Sequence, residues 1–287
     1  MNKSKISILI SSYNRKLLFR RSLFSIAMNP PAQSFEVIVA DDGSTENIVE
    51  ELENFSPSFK WQFIKVDHEE FAKKTGLKKF HNCPALTNNI AFRQSEGEHI
   101  FTMGNEIIAY QDCFNKMIND IPKLDYYMVM STTYDLRKEI LDNIGEYGQN
   151  LTKQMLEYSK QWPLQSKEYR SDVTNYISLC SRKVWEEIGG YNEQYCGGIS
   201  SEDSDFVRRA RKLENFDMKI SDGISLHQSH GGRTKYYETD QNIITTKRFN
   251  EGVEINHKIY YSWNNSHKNP QEWEYGTLGI KEIIKNF

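Results

Sequence analysis

Glu202 and Asp203 open the run SSEDSDFVRR. A carboxylate at a helix entrance can act as a general base; Ser200-x-x-Asp203 is equally a capping-box-like pattern. Glu106 closes FTMGNE, where an apolar run surfaces and a carboxylate either meets a cation or stays solvated. His227 and His230 in LHQSHGG offer neutral imidazoles that suit Mn²⁺ or a similar ion, or they form an edge-strand pair. Asp42 in VIVADDGSTENIV can accept from a base N–H or a ribose hydroxyl, although Asp-Gly is also a common turn pair. Singly, each has an ordinary structural use. Jointly, they would transfer a proton, hold a cation and bind a nucleotide.

Positioning them is the task of a repeated β-α pattern. Residues 5–11, 35–41, 60–67 and 98–103 read as strands. Residues 15–29, 46–55 and 83–95 read as helices, the first stopping at Pro30-Pro31 and the last tolerating Pro84 near its start. Such alternation predicts a parallel sheet flanked by helices, with ligands at the carboxyl ends of the strands. That rule puts Ser11-Ser12-Tyr13, Asp41-Asp42 and Gly104-Asn105-Glu106 on one rim. The second half is less regular. Residues 126–136, 173–181 and 224–230 read as strands, and a helix before Gly189-Gly190 and another over 200–214 separate them. Ser200 or Ser201 is the expected cap of the latter. Residues 137–171 read as a helical insertion or loop. The tail from Thr239 has one helical segment, then a polar, aromatic run with Trp263 and Trp273.

Bulk properties remove several function classes. The chain has 287 residues, 38% hydrophobic and 26% charged, which supports a packed core over disorder. A net charge of −3 with interspersed signs argues against nucleic-acid binding. Cys83, Cys113, Cys180 and Cys196 show no zinc spacing and read as reduced thiols of a reducing compartment. The basic N-terminus leads into a first strand rather than a signal segment, and no apolar stretch approaches a transmembrane length. A cytoplasmic protein is expected, with peripheral attachment to the inner face of a membrane compatible with that. Neither GxGxxG nor a Gly-rich, Lys/Arg-bearing phosphate loop follows the first strand, which disfavours dinucleotide binding and nucleotidyl transfer.

In their order along the chain, SILISSYNR, VIVADDGSTEN, ALTNNIAFRQSEGEHIFTMGNE, LCSRKVWEEIGGYNEQY and GISSEDSDFVRRA resemble the family 2 glycosyltransferases of GT-A fold. The last segment is similar to that of the galactosyltransferase-like and chondroitin-polymerase-like branch. The resemblance covers residues 4–232. It implies an α/β domain over 1–235, with a Rossmann-like, mostly parallel sheet. Residues 1–110 would form the nucleotide half, 111–235 an α+β acceptor half, and 236–287 a helical, aromatic extension packed on it. It implies inverting transfer from a nucleoside-diphosphate sugar, usually UDP-linked in this family, to a glycan or glycolipid hydroxyl. Ser12, Tyr13, Arg15, Asp42, Asn89 and Asn105 match donor-binding positions. Glu106, with His227 or alternatively His230, matches the site of a divalent metal, Mn²⁺ or Mg²⁺. Asp203 matches the base and Glu202 an acceptor-side neighbour. Gly104-Asn105-Glu106 departs from the family's Asp-x-Asp, which leaves an inactive binding module of the same fold as the alternative; a retaining transferase is the other. Trp and Tyr of the C-terminal half would floor the acceptor site, and Trp185 serves equally as a core anchor.

Overall fold

In the computed structural model, which describes residues 5–230, 246–262 and 266–287, the chain begins with β1 (Ile6–Ser12). Ile6, Ile8 and Ile10 belong to one apolar core and Leu9 to the other, so both faces of this strand are covered. A strand buried on both faces must read as a near-continuous apolar run. There follow α1 (Lys16–Met28), β2 (Phe35–Asp41), α2 (Val49–Phe55), β3 (Lys60–Val66), α3 (His68–Thr75), α4 (Pro84–Gln94) and β4 (His99–Gly104). β1 pairs in parallel with β2 on one side and β4 on the other, and β3 extends the sheet beyond β2. The register sets Ser12 beside Asp41 and Ser11 beside Gly104, so three strand ends meet at one rim.

The second half continues the same sheet with mixed directions. Its elements are β5 (Ile107–Tyr110), α5 (Cys113–Asn119), β6 (Tyr127–Leu136), α6 (Lys138–Leu141), α7 (Lys153–Ser159), β7 (Pro163–Gln165), β8 (Ser178–Ser181), α8 (Arg182–Ile188), a short 3₁₀ helix (Glu193–Gly197), α9 (Glu202–Ala210), β9 (Asp217–Gln228), α10 (Thr246–Tyr261) and β10 (Ile280–Lys285). The strand order is β10-β3-β2-β1-β4-β8-β6-β9-β5, with β7 beside β6. β8 runs antiparallel between β4 and β6, which welds the halves together. The strand pattern over 173–181 shortens to 178–181, because the preceding residues leave the ladder to line the site.

Several expectations change. Cys83 and Cys196 form a disulfide, with Cα atoms 4.8 Å apart, and only Cys113 and Cys180 remain free and buried. Folding brings the start of α4 against the 3₁₀ helix, a proximity that spacing along the chain does not display. Trp185 is fully buried and stacks on Phe92 at 4.7 Å, which makes it a core anchor. Among the described residues, the tail aromatics do not line the site. Trp273 donates its Nε1 proton to Glu193 at 2.5 Å, and Tyr275 packs under the Arg93 guanidinium at 4.1 Å. β10 lies antiparallel on β3 and forms the sheet edge. Trp263 and the 235/236 boundary fall outside the described residues. Among those described, no helix is long and apolar enough to cross a membrane.

Candidate active site

A cavity of about 310 Å³ opens where the strand ends converge. Tyr13, Arg15, Asn105 and Glu106 reach it from the nucleotide half, and Glu202, Asp203, His227 and His230 from the other. The connection after β1 turns sharply, with Asn14 at φ 53° and Arg15 at φ 64°, both left-handed and not glycine. That bend is fixed from several sides. Asn14 Oδ1 accepts from Thr45 N at 2.8 Å, and Asn105 Nδ2 donates to Ser12 Oγ at 3.0 Å and to Asn14 O at 2.7 Å. Ser12 and Asn105 are therefore bracing residues of the rim, with Ser12 itself fully buried.

Glu106 and the histidines meet through sheet pairing. β5 lies antiparallel on β9, Ile107 opposite His227, and Gln228 N donates to Glu106 O at 3.0 Å. One ligand atom from each of Glu106, His227 and His230 falls within 4.8 Å of the others. His227 donates from Nδ1 to Asp135 Oδ1 at 2.8 Å, which leaves its Nε2 lone pair facing His230 Nε2 at 3.2 Å. A carboxylate behind an imidazole is the usual way to orient a metal-binding histidine. His227 and His230 thus lie together in one cluster with Glu106. Gly104 has a steric reason. A Cβ there would lie 2.7 Å from Glu106 Oε1, so the missing side chain is the space into which the longer Glu106 folds back.

Asp203 sits in the first turn of α9 and accepts from the Thr174 hydroxyl, which also bonds the Tyr191 hydroxyl. Thr174 has one proton, so Tyr191 donates to Thr174 and Thr174 to Asp203. Burial, then the nearby Asp203 charge, keep the Tyr191 phenol protonated by pushing its pKa well up. Ser200 and Ser201 both take left-handed φ, 70° and 74°, and Ser201 makes no side-chain cap bond, correcting the cap expected there. Asn256 of α10 holds this bend by donating to Ser200 O at 2.7 Å and Tyr195 O at 3.0 Å. Tyr176, between the two acidic groups, has its pKa pushed up to about 12 by burial and by the charges of Asp203, Glu106 and Asp135. Sequence patterns gave no signal for Thr174, Tyr176 or Asp135; Tyr191 was visible only as the aromatic after Gly189-Gly190.

Neither Asn89 nor Asp42, both expected at the donor, lines this cavity. Asn89 is fully buried, donating to Tyr191 O and Glu193 Oε1 at 2.9 and 2.8 Å and accepting from Tyr191 N at 2.8 Å. Its amide is consumed in joining α4 to the acceptor half. Asp42 is 1% exposed and accepts from His68 Nε2 and Cys83 N, each at 2.6 Å, with Lys79 Nζ at 3.0 Å. Burial alone would raise its pKa; the His68 bond and Lys79 charge outweigh that and hold it below the usual carboxylate range. Lys79 also lies 4.2 Å above the Tyr13 ring, and His81 meets that ring edge-on at 5.7 Å. Tyr13, Lys79 and His81 are the half-buried groups that cover this corner.

Comparison with known proteins follows the same division. The chain is 30% identical over 156 residues to an uncharacterized glycosyltransferase of Mycoplasma pneumoniae, covering 53% of this chain and 49% of that one. It is 29% identical over 114 residues to the uncharacterized glycosyltransferase YfnE of Bacillus subtilis, 40% of this chain and 26% of the other. The chain thus spans about half or less of the length of these relatives. Among solved structures, the mannosyltransferase PcManGT of Pyrobaculum calidifontis, in complex with GDP-Man and Mn²⁺, superposes with a TM-score of 0.58 at 13% identity, covering 93% of this chain and 66% of that one. S. aureus TarS 1–349 with UDP-GlcNAc gives 0.54 at 15% identity, over 89% and 66%. Their shared architecture is the GT-A fold. Residues 7–189, which carry the parallel strands and the whole β1–β5 rim, match the glycosyl transferase family 2 description, and this chain belongs to that family.

Proposed function

We propose that this chain transfers a hexose from a nucleoside-diphosphate sugar, UDP-linked in the first instance, to a hydroxyl of an oligosaccharide, polysaccharide or glycolipid, with inversion. The observation that supports this best is the shared cavity: Asp203 enters it on α9, and Glu106, His227 and His230 enter it from the β5–β9 edge. The acceptor oxygen attacks the anomeric carbon and gives its proton to Asp203. A glycosidic C–O bond forms, and the bond to the diphosphate breaks with its electron pair leaving on the phosphate. Thr174 fixes the orientation of the accepting carboxylate. General-base help of this kind is worth ~10²–10⁴-fold.

The donor set fits a divalent cation. Two imidazoles beside one carboxylate favour Mn²⁺ over Mg²⁺, which prefers oxygen. Such an ion, when bound, supplies charge compensation for the departing diphosphate. Neighbours crystallised with GDP-Man and Mn²⁺ and with UDP-GlcNAc support a sugar-nucleotide donor. The Glu202-Asp203-x-Asp205 segment favours the galactosyltransferase-like and chondroitin-polymerase-like branch; Asp205 there is internal, bonded to Arg209 at 2.8 Å. Asp203→Asn should retain nucleotide binding in calorimetry and lose transfer. Near wild-type turnover, or a product that keeps the donor's anomeric configuration by NMR, would refute the base assignment.

A further inference from the structure

We propose that Arg15 is a resident counter-ion for Glu106 that moves to the donor's diphosphate when it binds, so that nucleotide entry frees the metal site. This rests on the sugar-nucleotide and metal reading given above. Arg15 Nη1 stands 3.6 Å from Glu106 Oε2, with the two side chains 17% and 18% exposed. That is an ion-pair distance and longer than a hydrogen bond, so the pairing does not consume the guanidinium's donors. Arg15 Nε is buried and has no hydrogen-bond partner among the described residues. A planar fork with donor capacity to spare, lining a cavity, suits phosphate oxygens.

The pairing and the metal cluster cannot both be fully satisfied. Glu106 supplies the carboxylate of the cluster with His227 and His230. A guanidinium beside it competes with any cation for the same negative charge. Arg15 is also held in a rare backbone conformation, φ 64°, after Asn14 at 53°. Left-handed non-glycine residues persist where the surroundings over-determine them, here through Asn105 and Thr45. The bend therefore fixes where the Arg15 side chain starts, between a carboxylate and the space for an anion. Coupling of this kind is reciprocal: nucleotide favours metal as much as metal favours nucleotide.

The test compares wild type, Arg15→Gln and Arg15→Lys by Mn²⁺ electron paramagnetic resonance and by calorimetry, with and without UDP. A protein-free Mn²⁺–UDP control is subtracted, because the diphosphate itself chelates the ion. Arg15→Gln should bind Mn²⁺ alone about tenfold more tightly than wild type and metal-free UDP about tenfold more weakly. Its enhancement of Mn²⁺ affinity by UDP should shrink accordingly. Arg15→Lys keeps the competing charge, so its affinity for Mn²⁺ alone should stay near wild type while UDP binding weakens. If Arg15→Gln binds free Mn²⁺ no more tightly than wild type, while both take Mn²⁺ with UDP, the exchange is refuted and the donor reading stands. If wild type binds neither UDP nor Mn²⁺ in any combination, the donor reading falls and the exchange with it.

Discussion

Asp42 and Glu193 are both buried carboxylates, one in each half, yet their surroundings act on them in opposite directions. Asp42 meets His68 and Lys79, residues of its own half of the chain, and sits below the usual carboxylate range. Glu193 accepts only from neutral donors: Asn89 Nδ2 at 2.8 Å, Gly276 N at 2.7 Å, Trp273 Nε1 at 2.5 Å and Gln271 Nε2 at 3.4 Å. Burial dominates there and raises its pKa, with those bonds offsetting it only in part. The nucleotide half thus secures its carboxylate with local charge. The acceptor half secures its own with the distant C-terminal segment.

The largest stability effect should come from Glu193→Ala. It would leave several buried donors unpaired, at about 3 kcal/mol, and should release the tail. Denaturant unfolding monitored by Trp273 fluorescence reads both, and an unchanged midpoint would erase the contrast. The pH dependence should separate the carboxylates next. Asp42's folded pKa is lowered, so its contribution is present above the unfolded value of about 3.8 and is lost as pH falls through the folded pKa. Glu193's is raised, so its contribution is full below about 4.5 and is lost as pH rises through the folded pKa. The penalty of Asp42→Asn should therefore shrink on acidification, whereas that of Glu193→Gln should grow. Parallel slopes in a pH series of unfolding curves would break the comparison.

Smaller effects bear on the site itself. Thr174→Val removes the donor that orients Asp203, and should lower transfer by about tenfold with UDP affinity unchanged. Equal loss in both measurements would mean that Thr174 serves only the fold. Gly104→Ala places a methyl where Glu106 folds back. It should weaken Mn²⁺-dependent UDP binding by roughly threefold, of the order expected for a slightly displaced charged contact, without changing thermal stability. An unaltered Mn²⁺ dependence would show that Glu106 has other room.

The nucleotide half was legible because period and position coincide there. Apolar runs buried on both faces end in Ser-Ser-Tyr, Asp-Asp-Gly-Ser and Gly-Asn-Glu, and parallel pairing sets those ends side by side. α3 was missed because His68–Thr75 is polar with one buried anchor, Phe71. β5 was missed because four residues, Ile107–Tyr110, are too few to display a period. The burial of Asn89 and Asp42 marks a different limit. Residue type and order do not say which way a buried amide or carboxylate faces, and here both face inward. Asp135 and Thr174 were invisible because each acts through a residue far away in the chain. The Cys83–Cys196 pairing is of the same kind.

β10 carries a consequence for synthesis. It pairs Lys285 with Gln62 and Ile284 with Phe63, so β3 lacks this neighbour until those late residues leave the ribosome. Until then the nucleotide half presents a Trp- and Phe-bearing strand with unpaired amides, the kind of edge that recruits strands from other chains. Pairing so far apart in sequence is also slow to form. The strand that pairs with β3 therefore also shields that edge from neighbouring chains.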